Sequence, residues 1–119
     1  MRHRNPLFIA GDLHATGVGT MYGSGNLDFS DNPITNILCG PVSTSIRGFP
    51  SVVRGVPSAP SQYLDFEEQV PAIEEHGFTL VDFERDRIVA QLFKWDVNSQ
   101  PVEAIDTLQP YYQVELDRP

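Results

Sequence analysis

Gly77-Phe-Thr-Leu-Val-Asp-Phe-Glu84, the joint Arg85-Asp86, and Arg87-Ile-Val-Ala-Gln-Leu-Phe-Lys-Trp-Asp96 form the stretch whose reading decides the fold class. Both arms are rich in β-branched and aromatic residues and partly alternate apolar with polar, and the joint is short and polar. That pattern predicts an antiparallel β-hairpin over 77–96. Phe78, Leu80, Phe83, Leu92, Phe93 and Trp95 are expected to form its apolar core, the alternative use being an exposed aromatic platform for a sugar or peptide. Downstream, 111–116 has the pattern of a last strand able to pair with the hairpin. Upstream, 63–76 carries Asp65, Glu67, Glu68, Glu74 and Glu75 around Pro71, which reads as one or two helical turns on a solvated surface. The run lacks the Asp-x-Asp-x-Asp-Gly spacing of a calcium loop.

Further upstream, Pro6-Leu-Phe-Ile-Ala-Gly11 and Ile34–Cys39 read as two short buried strands, the second closed by Gly40-Pro41. Between them, 11–32 holds Gly11, Gly17, Gly19, Gly23 and Gly25 among Asn, Asp, Ser and Thr, and this density of turn formers predicts an irregular loop. A Pro/Ser/Gly-rich connection fills 40–62. Connections of that length inside a compact domain are usually functional, wrapped around a neighbour, or disordered. No internal repeat is visible.

The chain has 119 residues, 8 Lys+Arg against 16 Asp+Glu and a formal charge of −8, with 40% hydrophobic residues. It is at most one small domain with a modest core. Scattered cations on an acidic chain argue against nucleic acid and anionic membrane as partners. No run is long and apolar enough to span a bilayer or serve as a secretory leader, so a soluble chain without a visible address is expected and its compartment is left open. Cys39 is the single cysteine. Its strand position before Gly40-Pro41 suits a small core residue rather than a nucleophile.

Chemistry is concentrated in Gly11-Asp12-Leu13-His14, at the end of the first strand. A carboxylate and an imidazole two residues apart on a turn leaving a strand can converge on one cation, and the glycine permits the sharp turn. Together with Leu7-Phe-Ile-Ala-Gly-Asp-Leu-His14, Asn32-Pro33, Ser43–Ser51, Gly77–Asp82 and Ile88–Asp96, this loop resembles the C-terminal part of a calcineurin-like metallophosphoesterase of the alkaline phosphatase D-like branch. The resemblance implies a mostly β fragment of an α/β fold, the back end of a four-layer α/β/β/α sandwich, spanning 1–119 with the 40–62 connection and a closing hairpin at 77–96. It implies metal-assisted hydrolysis of a phosphomonoester or phosphodiester at a two-metal centre of divalent ions, with Mn, Zn, Fe or Ca as candidates. It also makes His14 a metal ligand. The family's loop is Gly-His-x-His, so Asp12 stands where a histidine would, and three roles stay open for it: a second ligand, an orienter of His14, or a residue that turns the chain.

The family also has an early Asp-x-His motif that Asp12-Leu13-His14 fits in isolation. That placement requires a later Gly-Asp-x-x-Asp and Gly-Asn-His-Asp/Glu, and neither follows; Gly25-Asn26-Leu27-Asp28 is only a distant echo. The late placement leaves the upstream ligands outside this chain. The expectation is a product inactive alone, whose partners are the phosphate ester and either the missing N-terminal half or a second copy. The competing function is a small non-catalytic β module that binds a partner protein through its hairpin edge.

The remaining candidates read more simply. His3, between Arg2 and Arg4, suits a solvated terminus, and His76 before Gly77 a cap or surface residue. Arg47 and Arg54 have the guanidinium chemistry to meet a phosphate. Ser43, Ser45 and Ser51 lack a Gly-x-Ser-x-Gly elbow, which removes serine hydrolase chemistry.

Overall fold

A computed structural model describes residues 6–42, 45–46, 48, 51–52 and 60–117. Strands take up 52% of the described residues and are accompanied by one 3-10 helix, Val102–Thr107, so the chain is mostly β. The strands are β1 (Leu7–Ala10), β2 (Thr16–Ser24), β3 (Leu27–Asp28), β4 (Ile34–Cys39), β5 (Leu64–Ile73), β6 (Gly77–Phe83), β7 (Arg87–Lys94) and β8 (Tyr112–Asp117). No helix among the described residues is long and apolar enough to cross a membrane.

Two sheets face each other. In the first, β2 lies at the centre, antiparallel to β4 on one side and to β5 on the other; β1 runs parallel to β4 with Ile9 opposite Ile37, and β3 caps the end of β2. In the second, β6, β7 and β8 form an antiparallel meander in which Ala90 is opposite Val81 and Val114. Val18, Ile37 and Val70 from the first sheet meet Ala90 and Leu92 from the second, with Leu7, Cys39, Val81, Tyr112 and Val114 packed around them. Alternation along the strands turns every second residue to this core. The molecule measures 48 × 39 × 17 Å, and its short dimension is that of two stacked sheets.

Several expectations are corrected. The glycine-rich segment holds β2, the central strand, because its glycines serve close packing rather than turning. A Cβ at Gly19 would enter the Phe66 ring, and one at Gly17 would lie 3.0 Å from the Ala72 Cα. Only Gly25, at φ 59, works as a turn glycine; Gly25-Asn26 is the two-residue loop between paired Ser24 and Leu27, so the echo of a ligand motif is a hairpin turn. The acidic 63–76 segment is strand β5 rather than helix. Half-buried Leu64 and Phe66 alternate with exposed Asp65 and Glu67, and Pro71 is accommodated because β5 pairs with β2 alone.

β1 is a strand, yet it is not buried: Phe8 is 57% exposed and Ile9 45%. Among the described residues it pairs on one side only, with β4, and Phe8 points to solvent. Within the hairpin, Leu92, Phe93 and Trp95 are buried and Phe78 stacks on Phe93 with ring centroids 4.9 Å apart, but Leu80 and Phe83 are exposed. They lie on β6, an edge strand, and three residues apart they point to its opposite faces.

Among the described residues one backbone hydrogen bond links the two sheets, from the Gly77 N–H at the start of β6 to Pro41 O at 3.0 Å; the Gly40 N–H to Ala15 O at 2.9 Å extends the β2–β4 pairing, and the Trp95 N–H to His76 O at 3.3 Å extends that of β6 and β7. On the face of the first sheet turned away from the core, Gly17 and Gly19 are buried beneath Ala72 and Phe66, while Phe8 on β1 is exposed, so among the described residues the cover of this face is partial.

Candidate functional site

The parallel strand β1 delivers the chain to Gly11 at the rim of the first sheet, and the backbone reverses there. The Leu13 N–H donates to Gly11 O at 2.5 Å, closing a three-residue turn on Asp12. Asp12 has φ 46 and His14 φ 53, the two non-glycine residues with positive φ among those described. Each left-handed residue costs roughly 1–2 kcal/mol, a cost that Asp and His bear more readily than most side chains. Asp12 and Leu13 are exposed, His14 is half-buried, and Ala15 and Thr16 behind them are buried as the chain enters β2. Asp12 and His14 thus share one strained turn at the end of a strand.

Behind the turn lies a second anchoring point. The Glu74 carboxylate, one residue beyond β5, accepts the Gly48 N–H at 2.8 Å and the Ser51 hydroxyl at 2.5 Å through Oε2. A Cβ added to Gly48 would lie 2.8 Å from the Leu13 carbonyl oxygen. Sequence reading placed Glu74 in a solvated acidic run; its partners lie 26 and 23 residues away, beyond any local pattern.

Beside the turn, the partly covered face of the first sheet forms a groove of about 270 Å³ with Gly17 and Gly19 as its floor and Leu13, Leu38, Phe66 and Ala72 around it. Glu68 is the one charged residue in its lining. The groove is therefore shaped for apolar contact.

Among the described residues no three His, Cys, Asp or Glu side chains converge in a way that could hold a metal ion. Asp12 and His14 offer two donors of the right chemistry at one turn, fewer than a two-metal centre needs. The described residues do not by themselves fit such a centre. Arg47, Arg54, Ser43 and His3 lie outside the described residues.

His76 corrects its expectation: it is buried, with Nδ1 3.3 Å from Asp96 Oδ1. Asp96 also accepts the Asn98 N–H at 2.9 Å and the Ser99 hydroxyl at 2.7 Å, while Lys94 pairs with Glu75 at 2.9 Å nearby. This cluster ties the end of β7 to the start of β6. Asp96-Val-Asn98-Ser99 carries a local turn signal in sequence, whereas the pairing with His76 has none. Cys39 is packed at the core edge, and burial pushes its thiol pKa up. That keeps it a protonated packing residue.

Comparison with protein-family models, curated proteins and solved structures finds nothing that matches the chain. The functional reading accordingly rests on the turn, the groove beside it and the sequence resemblance.

Proposed function

We propose that the chain is the C-terminal portion of a metal-dependent phosphoesterase of the calcineurin-like, alkaline phosphatase D-like class, and that Gly11–His14 is its late ligand loop. The observation that carries this reading is the pair of left-handed residues, Asp12 and His14, at the end of an edge strand beside a partly covered apolar sheet face. Backbone strain of this kind persists where the surrounding structure over-determines it, and it clusters at ligand clamps. His14 is the metal-binding residue in this reading, with Asp12 as second donor or orienter. Divalent ions would polarise the phosphoryl oxygen and activate water. The first sheet would be one β layer of an α/β/β/α sandwich, with the cover of its outer face completed by the other half of the domain. The chain alone would then be inactive towards phosphate esters.

Support for the half-domain comes from Phe8, Ile9 and Leu13, apolar residues exposed together at and just beyond the edge strand β1. The test is hydrolysis of an aryl phosphate and its diester with Mn²⁺, Zn²⁺, Fe²⁺ or Ca²⁺, with metal content measured alongside. The 119-residue chain is expected to show no turnover. Adding an upstream half that carries Asp-x-His, Gly-Asp-x-x-Asp and Gly-Asn-His-Asp is expected to restore it, and His14→Ala to abolish it again. Reconstituted turnover that His14→Ala leaves untouched sinks the assignment, and turnover by the chain alone sinks the half-domain reading.

The second reading, a non-catalytic module that adds a partner strand to its hairpin, is favoured by the one-sided pairing of β6 and by the exposed Leu80 and Phe83. It predicts partner binding indifferent to His14→Ala.

A further inference from the structure

We propose that Glu74 is a positioning residue for the Asp12–His14 turn, acting through Gly48; the proposal rests on reading that turn as the ligand loop. Three places remote in sequence meet here: the end of β5, Gly48 with Ser51, and the turn after β1. The Glu74 carboxylate takes the Gly48 N–H and the Ser51 hydroxyl on one oxygen, and the Gly48 carbonyl in turn accepts the Val52 N–H at 3.1 Å. Such hydrogen bonds to an ionised acceptor are short and strong.

Gly48 is buried between two oxygens. A Cβ there would lie 2.7 Å from Glu74 Oε1 and 2.8 Å from Leu13 O, so no side chain fits between the carboxylate and the turn. The backbone of Gly48 therefore transmits the position of Glu74 to the Leu13 carbonyl. Leu13 is the residue between the two left-handed ones. Moving its carbonyl rotates the peptide plane that Leu13 shares with His14, and with it the direction in which the His14 side chain leaves the chain. A conformation this unfavourable needs a wall behind it, and Gly48 held by Glu74 is that wall. β5 is fastened along β2 on its other side, so the wall is anchored in the sheet rather than in another loop.

The test reads deuterium exchange at the imidazole C2 position of His14 and His76 by mass spectrometry in the 119-residue chain. Glu74→Ala is expected to speed exchange at His14 by about five-fold or more, the mark of a turn released locally, while His76 stays as in wild type. Glu74→Gln keeps an acceptor oxygen and is expected to return His14 to within about two-fold of wild type. Unchanged His14 exchange in Glu74→Ala overturns the proposal. A parallel rise at His76 means general unfolding, and Ser51→Ala, which removes one of the two hydrogen bonds, then decides: a rise at His14 alone supports the clamp, and none overturns it. Adding Mn²⁺ or Zn²⁺ to the wild-type chain separates the underlying reading. Metal that leaves His14 exchange unaltered, in the reconstituted protein as well, counts against the ligand loop and leaves the Glu74 result standing as a structural clamp only.

Discussion

Asp96 gathers three contacts at one exposed carboxylate: the Ser99 hydroxyl, the Asn98 N–H and the His76 imidazole. The Ser99 hydrogen bond first and then the Asn98 N–H hold its pKa below the ordinary 3.8; burial opposes them, and the His76 ring adds a lesser lowering. A carboxylate lowered in the folded state contributes stability above its unfolded pKa and loses it as pH falls through the folded one. The thermal midpoint is therefore expected to drop as pH falls from about 6 to about 3, with Asp96→Asn showing a shallower acid limb. Melting curves for the two proteins across that range check this, and parallel limbs would count against it. The turn made by Asp96, Asn98 and Ser99 is written in consecutive residues, so it is legible in sequence. His76 lies 20 residues from Asp96, and its burial depends on where β6 and β7 end against each other, which no local pattern encodes.

At the scale of elements, the two edges of the first sheet are built differently. β5 carries Asp65, Glu67, Glu68 and Pro71, devices that discourage another strand from pairing. β1 carries Leu7, Phe8, Ile9 and Ala10 and no charge. Concentration-dependent association of the isolated chain is expected to run through β1. Phe8→Lys should suppress it without lowering the thermal midpoint, since Phe8 is exposed. Sedimentation velocity over a range of concentrations tests this; association unchanged in Phe8→Lys would move the contact elsewhere. The hairpin of β6 and β7 and the strand β4 are readable because their β-branched and aromatic runs are bounded by turn residues. β2 is not, because a glycine that makes room for Phe66 has the same one-letter appearance as a glycine that turns the chain. β5 is misread for a related reason: acidic side chains and a proline disfavour a central strand and are welcome on an edge.

For the whole molecule, the decisive quantity is how little core two small sheets enclose. Leu92 and Ile37 are its fully buried large side chains, in a slab 17 Å thick. Leu92→Ala is expected to cost about 2–5 kcal/mol, a large part of the roughly 5–15 kcal/mol that holds a domain together. Urea unfolding read by tryptophan fluorescence at Trp95 measures it. A cost under about 1 kcal/mol would mean that the two sheets are not packed through Leu92. A partner layer bound on the partly covered face of the first sheet would raise the midpoint by mass action.

The sequence by itself determined the β-rich character, the paired arms of the hairpin, β4, and the nearness of Asp12 to His14, because each is carried by contiguous residues and their periodicity. Only the tertiary structure decided that β2 is central, that β1 is an open edge, that Glu74 stands behind the Leu13 turn and that His76 is buried against Asp96. Those depend on contacts between segments remote along the chain, where the same glycine, glutamate or histidine means different things according to what packs against it.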